Sequence, residues 1–235
     1  MHVLREWLGG KVRFVLLLVL LFAVGVCGVS TGMEVWREWR TPPEQRVAEA
    51  LHYAVQAPAY RYTSEAVRVH DGKEQVVTTL NGEKNGDAVH LYGRADVLDT
   101  MIDIYQIGDT FYRQDIVSGR WMQMTGQNIA ATEYLIQEIN PLGCLQIAET
   151  ARVIVQEKEK LNGKACKKYQ VHTSGTDTFL ASAWSEYYYT LWIDKKHRLQ
   201  QVEIIADDHE NSAEQLRLTV QFDWDSEVPE ITAPV

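Results

Sequence analysis

The chain has 235 residues, 46% of them hydrophobic, and its 23 Lys and Arg against 32 Asp and Glu leave a net charge of −9. A chain of this length and composition buries a substantial core. The acidic balance, without a basic stripe, a P-loop or a dinucleotide fingerprint, argues against nucleic-acid binding, which depends mainly on Lys and Arg contacts to phosphate. It also disfavours ionic attachment to anionic lipid headgroups, so any membrane contact of the acidic part should be apolar.

The first element along the chain is a nearly unbroken apolar run, Phe14 to Val29. Counted to Met33, it approaches the roughly 20 residues that a helix needs to cross a bilayer core. Three basic residues precede it, Arg5, Lys11 and Arg13. This flank predicts that the N-terminal end stays in the cytoplasm.

Three interpretations of this segment remain open. It is a retained signal anchor, a cleaved signal peptide with small residues near Gly28 at the cleavage region, or a lipoprotein signal processed before Cys27. Val26 is an unfavourable residue before a lipidated cysteine. We expect residues 1–40 to be the membrane anchor or signal segment plus linker. Residues 41–235 should form one extracytoplasmic domain, either attached to the cell membrane by a single span or secreted or periplasmic after cleavage.

Two cysteines lie in the expected domain, Cys144 and Cys166. An oxidising compartment permits a disulfide between them, which would add roughly 3 kcal/mol by closing the intervening loop. The alternative is two buried, reduced thiols, which are common in protein cores. No CxxC or HxxxH pair is present, so a zinc site is not expected.

The domain is predicted to begin with one helix. Thr41 is a suitable N-cap, Pro42 fits the first turn, and Glu44 stands at the capping-box position. Apolar residues then recur at helical spacing as far as Val55, and Pro58 ends the pattern.

A series of short strands follows, separated by turn signals such as Asp71-Gly72, Asn85-Gly86 and Gly108-Asp109. The predicted strands are 60–70, 75–80, 88–92, 101–107, 110–114 and 121–124. Their spacing of about ten residues is typical of an antiparallel meander rather than of βαβ units.

The pattern changes at Gln127, where apolar residues at helical spacing predict a helix that ends before Pro141. Strands resume at 151–157, 165–172, 187–193, 199–206 and 216–224, with Asn162-Gly163 as a further hairpin turn. Val228 to Ile231 is predicted to be a final edge segment.

This order of elements, and four turn-and-strand phrases, resemble the lipoprotein-sorting carriers of the LolA/LolB/LppX-like superfamily. The phrases are GDTFYRQD…GRWMQM from Gly108, EKLNGKACKKYQVH from Glu159, LWIDKKHRLQQVEI from Leu191 and FDWDSEVPEITAP from Phe222. The resemblance covers about residues 42–235. It implies an α+β fold: a strongly curved antiparallel sheet, an open half-barrel, with helices on its concave side, preceded by the transmembrane or signal segment.

The resemblance also implies a function. Between sheet and helices such a fold leaves an apolar hollow that holds a lipid or the acyl chains of an acylated protein, without a catalytic group or cofactor. The candidate lining residues are the aromatic and aliphatic residues expected on one strand face, namely Tyr62, Leu91, Met101, Ile104, Tyr105, Phe111, Trp121, Leu135, Ile139 and Trp192. The expected partners are a lipid or acylated protein and, through the N-terminal segment, a membrane.

An enzyme is not expected. The histidines are scattered among strand ends and turns, and none shares a strong motif with a nucleophile. The densest polar cluster, Asp207 to Glu210, is more typical of a solvated loop than of a cation site. The rival to a carrier is an envelope sensor or scaffold module whose cleft is filled by its own side chains.

Overall fold

The computed structural model describes residues 41–96, 99–115, 118–125, 152–174, 184–208, 211 and 213–234. The predicted membrane segment and the predicted helix that starts at Gln127 lie outside these residues. In the described part, no helix is long and apolar enough to cross a membrane. Residues Pro43–Val235 form one compact unit, separate from Met1–Pro42, and this larger unit is described here.

The unit begins with the predicted helix, α1, Pro43–Gln56. Its buried face consists of Val47, Ala50 and Ala54, and the backbone N–H of Ala57 donates to the carbonyl oxygen of Tyr53 at 2.9 Å where the helix ends. Small residues at this interface let the helix lie close to the sheet. The helix prediction is confirmed almost to the residue, and it is the one helix among the described residues.

Eleven strands form a single open antiparallel sheet. The first six are β1 Ala59–His70, β2 Lys73–Asn85, β3 Ala88–Ala95, β4 Thr100–Ile107, β5 Thr110–Gln114 and β6 Trp121–Thr125. The other five are β7 Val153–Leu161, β8 Lys164–Ser174, β9 Trp184–Asp194, β10 Leu199–Asp208 and β11 Glu214–Asp223. The predicted strands are confirmed, and most extend further than predicted. The predicted edge segment at Val228 is wrong, because residues 227–234 add no strand to the sheet.

The sheet consists of two meanders. Its strand order is β6-β5-β4-β3-β2-β1-β11-β10-β9-β8-β7, so each half consists of sequence neighbours and the halves meet where β1 pairs with β11. Among the described strands, β6 and β7 are therefore the two edges of the sheet. This arrangement, with one helix on the sheet, is consistent with the predicted open half-barrel.

Hairpin turns set the register of the meanders. Asp71 and Gly72 have φ of 49° and 74°, and Asn162 and Gly163 have 49° and 79°, as a type I′ turn requires at both central residues. The turn predicted at Asn85-Gly86 lies one residue later, at Gly86-Asp87, because Asn85 is still paired with Ala88. Glycine at the first central position, with φ of 61°, fits a type II′ turn there.

One face of the sheet, here called the core face, carries most of the buried side chains. Its fully buried members include Leu91, Tyr169, Tyr187, Tyr189, Leu191, Leu199, Val202 and Val220. The helix covers only part of this face, since α1 packs against β7, β9 and β10. A hydrogen bond between His197 Nδ1 and Glu49 Oε2, 3.1 Å apart, joins the helix to the β9–β10 turn. Among the described residues, α1 is the only helix, so it leaves part of the core face of the first meander uncovered.

A polar network connects the β9–β10 turn to the segment after β11. Arg198 donates to Asp194 Oδ2 at 3.1 Å and to Asp225 Oδ1 at 3.0 Å, and Lys164 Nζ donates to Asp225 Oδ2 at 2.8 Å. The hydrogen bonds from Lys164 and Arg198 lower the pKa of Asp225 to about 2. Both donors therefore favour the ionised carboxylate.

Replacing Asp225 by Asn should give an acid-dependent stability deficit. The pKa of Asp225 in the folded chain lies below its ordinary value of 3.8, so its contribution is present above pH 3.8 and is lost as the pH falls through about 2. The D225N variant should melt below the wild type at pH 7, and the two melting temperatures should converge near pH 2. Glu230→Gln is the control, because Glu230 is exposed and forms no ion pair with another described residue. A pH-independent difference would contradict the assignment.

Candidate functional site

A cleft of about 420 Å³ opens on the core face of the first meander. Its walls come from the end of α1, strands β1 to β4, and the turns that follow β2 and β4. The lining residues are Val55, Tyr60, Tyr62, Lys84, Gly86, Asp87, Val89, Gln106, Gly108 and Asp109. The volume is in the range of about 300–1,000 Å³ that is usual for small-molecule sites. The cleft lies where the helix no longer covers the sheet.

Two tyrosines of β1, Tyr60 and Tyr62, form one wall of the cleft, each only 3% exposed. Tyr60 packs 5.0 Å from Trp224 and 5.7 Å from Phe222, measured between ring centroids. Burial raises the pKa of Tyr60 to about 12, and burial, with Tyr60 close by, raises that of Tyr62 further. Both phenols are therefore neutral at physiological pH, and the wall is aromatic and uncharged.

The Tyr62 ring has space because its cross-strand neighbour is glycine. Gly82 pairs with Tyr62 between β1 and β2, and a Cβ on Gly82 would lie 1.9 Å from the ring carbon that bears the Tyr62 hydroxyl. Such packing of an aromatic ring over a strand glycine covers backbone that would otherwise be exposed. Gly82 therefore determines where this wall of the cleft stands.

Lys84 contributes the one lysine or arginine among the cleft residues. It is partly buried, and its Nζ donates to the carbonyl oxygen of Ala57 at 2.5 Å and lies 5.7 Å from the centroid of the Tyr60 ring. Burial lowers the pKa of Lys84, and the nearby Asp87 carboxylate opposes that effect. The cleft thus combines an aromatic wall with one amine, and Asp87 and Asp109 lie in the exposed turns at its rim.

No model of a known protein family matches this chain, and no curated protein matches it either. Among solved structures, the lipoprotein LppX from Mycobacterium tuberculosis superposes with a TM-score of 0.55 at 11% sequence identity, covering 80% of this chain and 97% of LppX. LprF from Mycobacterium bovis gives 0.48 at 11% identity, with 80% and 96% coverage. A LolA superfamily protein from Nitrosomonas europaea gives 0.38 at 9% identity, with 80% and 96% coverage.

The likeness to LppX decides the architecture. This chain has an LppX-like fold. The resemblance predicted from the turn-and-strand phrases is therefore confirmed at the level of fold. An identity of 11% carries no residue-by-residue correspondence, so the site of this LppX-like domain rests on its own geometry.

The LppX-like sheet brings four of the ten predicted lining residues to the core face: Tyr62, Leu91, Ile104 and Phe111. Tyr62 lines the cleft, whereas the other three are 0%, 2% and 3% exposed and pack in the core cluster. Contact of any of them with a ligand stays a prediction. Leu135 and Ile139 lie outside the described residues.

The remaining four predicted residues lie on the opposite, outer face of the sheet, so the expectation of a single shared face is wrong for Met101, Tyr105, Trp121 and Trp192. Strand alternation is the reason, since Tyr105 and Ile104 are adjacent and point to opposite faces. Tyr105 stacks on His90 with centroids 3.9 Å apart and meets Trp121 edge-on at 5.4 Å. Met101 is 70% exposed.

Trp192 is held in the outer face by polar neighbours. Its Nε1 donates to Glu159 Oε2 at 3.0 Å, and Lys168 Nζ lies 5.0 Å above the indole ring. These contacts leave Trp192 only 5% exposed. They give Trp192 a packing role between β7, β8 and β9.

Asp103 lies on the outer face, where its Oδ1 is 2.8 Å from Nε2 of His90. Cys166 is buried, and its Sγ lies 3.7 Å from the carbonyl oxygen of Lys164. Its predicted disulfide partner, Cys144, lies outside the described residues, so that bond stays a prediction for a mass measurement under non-reducing conditions.

Sequence reasoning missed the cleft residues Tyr60, Lys84, Val89 and Gln106. A signal for Lys84 was available, because strand period two places it on the face of Gly82 and Leu80, where a lysine is out of pattern. The helix end and the β2–β3 and β4–β5 turns meet only in the folded chain. In the described part, no group of three or more His, Cys, Asp or Glu side chains is placed to hold a metal ion.

Proposed function

We propose that this domain binds a lipid or an acylated protein by taking an acyl chain into the cleft, and that it acts outside the cytoplasm as a non-catalytic carrier or acceptor. The observation that carries the proposal is the cleft of about 420 Å³ between the end of α1 and the aromatic wall of β1. The rival is an envelope sensor or scaffold module whose cleft is filled by its own side chains.

The physical driving force is partition of hydrocarbon. Each CH₂ group moved from water into an apolar site is worth about 0.8 kcal/mol, so a few chain carbons against Tyr60, Tyr62 and Val89 already give useful affinity. An acyl chain drawn from a membrane gains less, because it leaves an apolar environment, which suits reversible transfer. Such transfer requires no nucleophile or general base, and none of the cleft residues forms a nucleophile–base pair.

The location follows from the N-terminal run of Phe14 to Val29. Whether that run is retained, cleaved or lipidated, its basic flank directs the domain to the outer side of the membrane. A retained span would keep the carrier at that membrane and restrict it to local exchange. LppX, with which the chain shares its fold, is itself described as a lipoprotein.

Native mass spectrometry tests the proposal on the compact unit Pro43–Val235 after incubation with phosphatidylcholine vesicles that contain an added long-chain fatty acid. We expect a population whose mass exceeds that of the protein by one lipid or fatty-acid molecule. The same unit, incubated without vesicles, is the control for lipid acquired during expression. Protein mass alone in both samples would refute the carrier and favour the scaffold.

A further inference from the structure

Lys84 occupies a position on the sheet where a charged side chain is unexpected. On β2 it lies on the same face as Gly82, opposite Tyr60 of β1 and Val89 of β3. It therefore shares the core face with the aromatic wall of the cleft. Lysine is rarely buried on such a face unless a partner compensates for its lost hydration.

The groups in direct contact with the Lys84 ammonium are neutral, and the nearby Asp87 carboxylate acts on it only through its field. Its ammonium group has three N–H donors, and the structure gives one of them to the carbonyl oxygen of Ala57. The Tyr60 ring lies 5.7 Å away, a cation–π distance. Among the described residues, no carboxylate lies within ion-pairing distance of Lys84. Two donors therefore remain for a group in the cleft.

The one cationic side chain of the cleft is partly buried, whereas its two carboxylates lie at the exposed rim. Asp87 and Asp109 are exposed in the rim turns, where water and salt screen them. Lys84 is partly buried, and that burial lowers its pKa. An anionic group beside the ammonium would restore the stabilisation that burial removes.

We propose that the cleft takes an acyl chain with a free carboxylate head, with Lys84 binding the head and Tyr60, Tyr62 and Val89 contacting the chain. This inference rests on the proposed function and narrows its ligand to a free fatty acid, bound as the carboxylate anion. An acylated protein lacks this carboxylate, because its acyl chain is joined through an ester, amide or thioester.

Photo-crosslinking of the full chain in phosphatidylcholine nanodiscs tests the inference. The probes are a diazirine-labelled C16 fatty acid, the corresponding alcohol and the methyl ester, and labelled peptides are mapped by mass spectrometry. We expect the wild type to label cleft peptides with the acid at least about tenfold more efficiently than with the alcohol or ester, since a charge-assisted hydrogen bond is lost in both.

The variants separate charge from structure. Lys84→Met should reduce the acid-to-alcohol ratio to near one while labelling by the alcohol persists, and Lys84→Arg should keep the acid preference. Lys73→Met, at the exposed start of the same strand, is the matched control and should leave the ratio unchanged.

The outcomes distinguish the two proposals. Equal labelling of wild-type cleft peptides by acid, alcohol and ester would overturn the role of Lys84 but leave the carrier proposal intact. An acid preference that survives Lys84→Met would have the same consequence. If an excess of unlabelled probe does not reduce the labelling of cleft peptides, the carrier proposal itself is overturned. If Lys84→Met fails to fold, the wild-type acid-to-ester ratio and its retention in Lys84→Arg decide the question.

Discussion

Replacing Gly82 by Ala should destabilise the domain by about 2–3 kcal/mol, as overpacking a full site does. The added Cβ would lie 1.9 Å from the Tyr62 ring, far inside van der Waals contact. The ring cannot move away freely, because its centroid lies 6.1 Å from that of Tyr60 and 6.4 Å from that of Phe222. Urea unfolding of the unit Pro43–Val235 measures the loss.

A double-mutant cycle identifies the cause. In a Tyr62→Ala background the clash is removed, so Gly82→Ala should then cost less than about 0.5 kcal/mol. Thr79→Ala, on an exposed position of the same strand, controls for loss of a strand side chain. An equal cost of Gly82→Ala in both backgrounds would mean that the glycine is needed for its backbone and not for the Tyr62 ring.

Replacing Val89 by Trp should abolish acyl binding while leaving the fold intact. Val89 is partly buried and lines the cleft opposite Lys84 and Gln106, so an indole at this position fills the space that the chain would occupy. The side chain grows into an opening, and therefore the cost in stability should stay below about 1–2 kcal/mol. We expect a loss of at least tenfold in labelling of cleft peptides by the fatty-acid probe.

Val76→Trp is the matched control for that experiment. Val76 is 39% exposed, lies on the neighbouring strand β2 and does not line the cleft, so the same substitution there should leave labelling unchanged. Normal labelling in a folded Val89→Trp variant would place the ligand elsewhere on the domain.

Local patterns in the sequence were sufficient to predict the strands and the helix. The helix ends were readable because capping residues and Pro58 act within a few residues of where they stand. The hairpins were readable because Asp71-Gly72 and Asn162-Gly163 impose positive φ on both central residues, which few other pairs accept. One turn lies one residue later than predicted, at Gly86-Asp87. The pairing of Asn85 with Ala88 on β3 decides its position, and that pairing is visible only in the folded sheet.

The side of the sheet on which each aromatic residue lies was harder to predict. Tyr105 and Trp192 have large aromatic side chains, and hydrophobicity alone predicts that both are buried in the core. Strand alternation instead places both on the outer face, where His90 stacks on the first and Glu159 accepts a hydrogen bond from the second. Large amphipathic rings are stable on either face, so hydrophobicity did not decide the matter.

By itself, the sequence determined, for the described residues, the succession of one helix and two meanders, the positions of most turns and the likeness to the LppX fold. Those features depend on residues within a few positions of each other. The tertiary structure decided the pairing of β1 with β11, the part of the core face that α1 leaves open, and the meeting of Tyr60, Lys84 and Val89 around one cleft. Such contacts join residues far apart in the chain, and their stability comes from collective packing that no short stretch of sequence encodes.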